Sequence, residues 1–392
     1  MANVKNSEAE CIGIGIGTNE TAIEMESTIG GRHNRCLDAF NVALHQTCDR
    51  DSWYVSTTQL QLASLPFCVA CRNVVTLCLT VDDNIPRQLL AGADVAAPAD
   101  PDEQGPTRVP SFRARGVTWN RRSSAELNTP INVLTEAEFF FFYDDFNCSV
   151  DTVSWPRRLK QLEFGDSFNQ SVERVSWPSS LQQLVFSGEF DQKIDNVAWP
   201  SSLQQLVFWG KFDQRINNVT WPSSLQQLTF SREFNQRIEG VRWPSSLQQL
   251  TFGSAFNQPV EGLEWPPALK QLAFLGHFNH PIDGALWPAS LERIEFGCDF
   301  DHTLEHVAWP ASLRYLSLGR WFSKSLHGIG RWMPALEELT LLIDGNEYDH
   351  SLAGVEWPKG LQKLTVDKML WDKSSAAFPQ GVELDVFFHC FG

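Results

Sequence analysis

The apolar residues of this chain recur on a regular lattice. A Trp-Pro pair returns every 22 residues, at Trp155, Trp177, Trp199, Trp221, Trp243, Trp265, Trp287 and Trp309. Within one unit, Leu203, Leu206 and Phe208 give the pattern L-x-x-L-x-F. The last pair alternates with period two, which marks a short strand with one buried face. Phe212, Ile216, Val219 and Trp221 follow at wider, irregular intervals. Such spacing leaves no room for three helical turns. The Pro after each Trp, with its fixed φ and no N–H, suits an extended or turn segment instead. Each unit therefore predicts one short strand followed by irregular or 3-10 structure.

One unit has no second layer to cover these groups and cannot fold alone. Stacked copies put Phe on Phe and Trp on Trp, giving a continuous core. Each fully buried Leu or Phe is worth roughly 1.5–3 kcal/mol, so seven apolar columns can offset the ordering of a unit. The period loosens after Trp309, through Trp332 and Trp357 to Phe378-Pro379, while Phe146-Asn147 precedes Phe168-Asn169 by one period. The expected fold is a mainly β (or α/β-type) repeat occupying residues 131–392. It is a solenoid with a parallel sheet of about ten short strands and a mostly irregular or 3-10 convex side.

Beyond each second Phe runs a column of Asn169, Asp191, Asp213, Asn235, Asn257, Asn279 and Asp301. These side chains are expected to bond loop backbone groups of their own or a neighbouring unit. With that column in view, FGSAFNQPVEGLEWPPALKQLAF (252–274) resembles an FNIP-type leucine-rich repeat. Trp stands where that family has Leu before Pro, Asp191 and Asp213 replace Asn, and Lys193 and Arg215 replace the Pro after Gln. The resemblance implies a curved solenoid and protein binding, and it brings no catalytic residues.

Counting Leu203 as position one, positions three, five and seven should face away from the core. Position three is a Gln column: Gln161, Gln183, Gln205, Gln227, Gln249 and Gln271. Stacked amides about 4.8 Å apart can form a hydrogen-bonded ladder, or they can meet a partner. Val185, Val207, Thr229 and Thr251 share position five. At position seven, Trp209 and Leu275 interrupt the small residues Gly165, Ser187, Ser231, Gly253, Gly297 and Gly319. A large apolar side chain among small exposed neighbours is a candidate hot spot, and drift on a tolerant surface is the alternative. Lys211, Arg232 and His277 vary nearby. The candidate contact set is Gln183, Val185, Gln205, Val207, Trp209, Gln227, Thr229, Arg232, Gln249, Thr251, Leu275 and His277.

Composition narrows the function. The 392 residues carry a net charge of −16, which argues against nucleic-acid backbones and anionic membranes. No apolar run approaches the ~20 residues of a membrane helix, and no secretory signal is visible. Cys148, Cys298 and Cys390 stand far apart, and the sequons opened by Asn147 and Asn169 fall in a column expected to be packed. A reducing compartment, cytoplasmic or nuclear, is the expectation.

Residues 1–90 have no clear organisation, and 91–130, rich in Ala, Pro, Asp and Gly, reads as a linker. Ile12 to Thr18, IGIGIGT, lacks the spacing and the preceding strand of a nucleotide loop. Arg35 to Leu44 reads as a short amphipathic helix, and Arg72 to Val81 as a lone strand. His33-x-x-Cys36, His45-x-x-Cys48 and Cys68-x-x-Cys71 have metal-ligand gaps but match no zinc module. The helix near Asp38 and the stretch Leu62 to Val74 leave room for a divergent F-box. That would make the chain a substrate receptor of a cullin-type ubiquitin ligase. His277, His280 and His302 are scattered among the units without an obvious nucleophile, so no enzyme, cofactor or metal is expected. The leading expectation is a monomeric, non-catalytic scaffold that binds a protein partner.

Overall fold

The computed structural model describes residues 137–387, and before them the backbone of four strands. These are β1 (Ala43–Gln46), β2 (Ser52–Ser56), β3 (Thr76–Asp82) and β4 (Gly116–Asn120). Then come β5 (Phe139–Phe142), β6 (Gln161–Phe164), β7 (Gln183–Phe186), β8 (Gln205–Phe208), β9 (Gln227–Thr229) and β10 (Gln249–Phe252). The series ends with β11 (Gln271–Phe274), β12 (Arg293–Phe296), β13 (Tyr315–Leu318), β14 (Glu338–Leu341), β15 (Lys363–Asp367) and β16 (Glu383–Phe387). All lie in one 16-stranded sheet in chain order. Only β1 and β2 pair antiparallel, and the pairs from β2 onward are parallel.

β5 to β16 number slightly more than the period count, because β14, β15 and β16 keep the strand where Trp-Pro spacing has loosened. There, too, the described residues gain short helices: α1 (Ile329–Trp332), and α2 (Lys368–Ser374), whose N-cap Asp367 accepts the Met369 amide at 2.8 Å. β3 coincides with the expected lone strand, and β4 lies inside the stretch expected to link. Of the helix expected over Arg35 to Leu44, only Ala43 and Leu44 are described, and both belong to β1.

The register pairs like with like: Leu206 opposite Leu228, Leu250 opposite Leu272, Phe252 opposite Phe274. Three aromatic columns fill the interior. Rings from Phe142 to Phe296 stack at 5.0–6.1 Å. Those from Phe146 to Phe322 stack at 6.1–6.2 Å, and five Trp pairs at 5.9–6.4 Å. Paired strands are about 4.7–4.9 Å apart. Units are thus closer on the sheet side than at the Trp column, and the sheet lines the inside of the curve.

Turns supply the rest of each unit. In the Trp221 unit, amides close β-turns from Val219 to the Ile216 carbonyl, Leu225 to Pro222 and Phe234 to Ser231, at 3.1–3.3 Å. Pro222 loses nothing by lacking an N–H, since its carbonyl does the work. The second Ser after Trp-Pro ties units together: Ser202 Oγ donates to the Leu181 carbonyl at 2.6 Å, and Ser224 to Leu203 at 2.6 Å. The Asn/Asp column bonds the next unit: Asn169 Oδ1 accepts the Asp191 amide at 3.0 Å and Gln192 Nε2 at 2.8 Å.

Candidate functional site

The open sheet face carries the candidate contact residues, and their exposures differ sharply. Trp209 is 55% exposed and Leu275 41%; Arg232 and His277 are also exposed. Gln183, Gln205, Gln227, Gln249, Thr229 and Thr251 are half-buried. Val185 and Val207 depart from expectation. They face away from the core cluster yet are 6% and 4% exposed. Thr229 and Thr251, of the same size and in the same column, stay half-buried, so the cover belongs to the β7–β8 part of the face and not to the whole column.

The expected glutamine ladder is absent among the described residues: no hydrogen bond links Gln183, Gln205, Gln227 and Gln249 through their side chains. The inter-unit ladder runs instead through the Asn/Asp column, where the Asp213 amide donates to Asp191 Oδ1 and the Asn257 amide to Asn235 Oδ1. That leaves the Gln amides free for water or a partner.

Position seven has an order the column of small residues concealed. Extending the paired registers across the sheet gives Tyr143, Gly165, Ser187, Trp209, Ser231, Gly253, Leu275, Gly297, Gly319 and Leu342 side by side. Every third strand bears a large apolar residue. Tyr143 is 37% exposed and Leu342 half-buried. At about 4.8 Å per strand, the projections recur roughly every 14 Å. The gaps between them are floored by backbone: Ser231 turns inward to donate to the Phe212 carbonyl at 2.8 Å, and a Cβ on Gly253 would collide with the Ser231 carbonyl.

Charge is distributed unevenly along this face. Lys211 pairs with Glu189 at 2.7 Å, and His277 Nδ1 with Asp299 at 2.7 Å. Arg232 has no ion pair among the described residues. Arg293 lies 3.4 Å over the Tyr315 ring while its Nε meets Glu295 at 2.6 Å. Arg320 sits 4.8 Å over Trp321, itself 46% exposed. Glu163, on β6, is held above the ordinary carboxylate range first by burial, then by Asp144 and Asp166. Among the described residues no cluster of His, Cys, Asp and Glu could hold a metal, and no helix is long and apolar enough to cross a membrane. The Cys-containing pairs and the F-box stretch lie outside the described residues, apart from His45 in β1.

A parallel sheet of stacked, Phe-lined turns defines a leucine-rich-repeat solenoid. Solved structures agree on that fold. CroV588, a circular leucine-rich-repeat protein, superposes with a TM-score of 0.54 at 22% identity, covering 88% of this chain and 61% of that one. The Toll–Spatzle complex from Drosophila gives 0.52 at 12% identity, covering 92% and 60%. This chain thus spans about three fifths of the length of either. No curated protein matches in sequence. The FNIP Repeat model matches six overlapping windows, 146–189, 168–211, 212–255, 234–277, 256–299 and 278–321. Residues 146–321 are thus an array of FNIP repeats, built on a leucine-rich-repeat fold.

Proposed function

We propose that the protein is a non-catalytic scaffold that binds another protein on the open face of its sheet. The observation behind this reading is the position-seven row, where Tyr143, Trp209 and Leu275 project at three-strand intervals over backbone-floored gaps. Exposed aromatic and aliphatic residues standing clear of small neighbours are the usual anchors of protein interfaces. Half-buried amides and hydroxyls around them supply the polar rim. Repeat solenoids use their inner surface in this way. The net charge of −16 favours a protein over a nucleic acid or an anionic membrane, and the protein acts as a monomer in the cytoplasm or nucleus.

The test is cross-linked capture from native lysate with the full chain, a Trp209→Ala/Leu275→Ala variant, and Leu286→Ala as control. Leu286 is 65% exposed but lies on the turn side, outside the sheet. A partner held by the wild type and the control, and lost from the double variant, is the expected result. Retention by the double variant would move the site off this face.

A further inference from the structure

The first gap in the position-seven row, between Tyr143 and Trp209, has a chemistry the others lack. Its floor is Gly165 on the β6 side and Ser187 on the β7 side. Glu163 stands two residues before Gly165 on the same face of β6, about 6.6 Å along the strand. Asp144 and Asp166, just beyond the ends of β5 and β6, lie close enough to repel its charge. None of the three carboxylates has an ion pair or side-chain hydrogen bond to a described residue. The two nearby lysines are committed elsewhere, Lys160 to Glu138 at 3.1 Å and Lys211 to Glu189 at 2.7 Å. Glu163 and Asp166 thus stand between the Tyr143 and Trp209 strands, with Asp144 beside Tyr143, and the two aspartates repel Glu163 at one end of an otherwise uncovered face.

Resting on the interaction reading above, we propose that the sheet face at β5 to β8 docks a basic segment of a partner protein, a lysine or arginine side chain entering the gap between Tyr143 and Trp209. The complementarity has two parts. A cation relieves the repulsion of Glu163 by Asp144 and Asp166, and it does so where the partial burial of Glu163 weakens solvent screening. The aromatic walls attract the charged head and cover the aliphatic stem. A hydrated metal ion gains nothing from such walls, whereas a long cationic side chain uses both. The next gap carries Arg232, exposed and unpaired among the described residues, and in the third Glu295 is already paired with Arg293 at 2.6 Å, so the basic residue is confined to the first.

Labelled octalysine is the probe, titrated by fluorescence anisotropy against the full chain at low and at physiological salt. Glu163→Gln/Asp166→Asn is compared with Glu264→Gln/Glu305→Gln, which removes the same charge from exposed turn positions. Binding weakened at least about tenfold, or about 1.4 kcal/mol, by the first pair and less than about twofold by the second is the expected outcome. Equal weakening by both pairs means octalysine senses only net charge, and overturns the proposal. No weakening by the first pair overturns it as well. Because the first pair removes repulsion, its melting temperature should not fall, which separates lost binding from lost structure. A partner lost from Trp209→Ala/Leu275→Ala but kept by Glu163→Gln/Asp166→Asn would leave the face reading standing and this one rejected.

Discussion

Asp191 Oδ1 accepts two hydrogen bonds from the following unit, one from the Asp213 amide at 2.9 Å and one from Gln214 Nε2 at 2.9 Å. A single oxygen thus satisfies a loop amide that no strand can reach, and the arrangement passes from unit to unit. An Asn carbonyl oxygen does the same at Asn169 and Asn235, which is why Asn and Asp alternate freely in this column. Asp191→Ala should cost about 1–3 kcal/mol, as unpaired amides do, and Asp191→Asn should be close to neutral. Urea unfolding of the two variants side by side checks this.

Trp221 stacks on Trp243 at 6.3 Å and is 7% exposed. Trp221→Ala should therefore destabilise by about 3–5 kcal/mol. Its Nε1 has no protein partner among the described residues, so only ring contacts are at stake. Trp221→Phe should accordingly lose less than half as much. A loss below about 1 kcal/mol for the Ala variant would contradict the burial.

Trp209 and Leu275 present the opposite case. Their exposed side chains contribute little to the core, and Trp209→Ala/Leu275→Ala should leave stability within about 0.5 kcal/mol per site. Partner capture by the same protein should disappear. Thermal unfolding and capture measured on one preparation would show the two effects separating.

Glu163 gives a pH signature. Burial first, then Asp144 and Asp166, raise its folded value above the ordinary 4.5. Just above 4.5 the unfolded chain has released this proton while the folded protein still holds it. Stability therefore falls as pH rises from 4.5 through the raised value, and the loss persists at neutral pH. Glu163→Gln should raise the melting temperature by about a degree or two near pH 7. The advantage should vanish near about pH 4, where both states keep the proton. Scanning calorimetry at several pH values reads the difference directly; an advantage that grew toward low pH would contradict it.

The fold was legible because Leu203, Leu206 and Phe208 recur in a period too short for a helix and too regular for chance. The role of the Asn/Asp column followed from side-chain reach alone. Other features depend on how neighbouring units pack, which one unit does not encode. Val185 and Val207 sit at outward positions by alternation, yet they are nearly covered where Thr229 and Thr251 in the same column are not. The glutamines have the right spacing for a ladder but form none, because turns carry the inter-unit side-chain bonds. The every-third-strand order was present in the text, since Tyr143, Trp209 and Leu275 are each three 22-residue units apart. Tyr143 lies in a unit without the Trp-Pro mark, and Leu342 in one of altered length, so the Trp-Pro period does not mark either of them.

The three-strand rhythm also bears on how a partner finds its place. A segment shaped for one gap meets the same outline again after sliding three strands, so shape alone offers three berths between Tyr143 and Leu342. Charge makes them unequal, acidic at the first and carrying Arg232 at the second. On the proposed reading, position along the solenoid is chosen by electrostatics while grip is supplied by the apolar row. A partner could therefore be shifted bodily along this protein by moving one charge, without remaking the surface it holds.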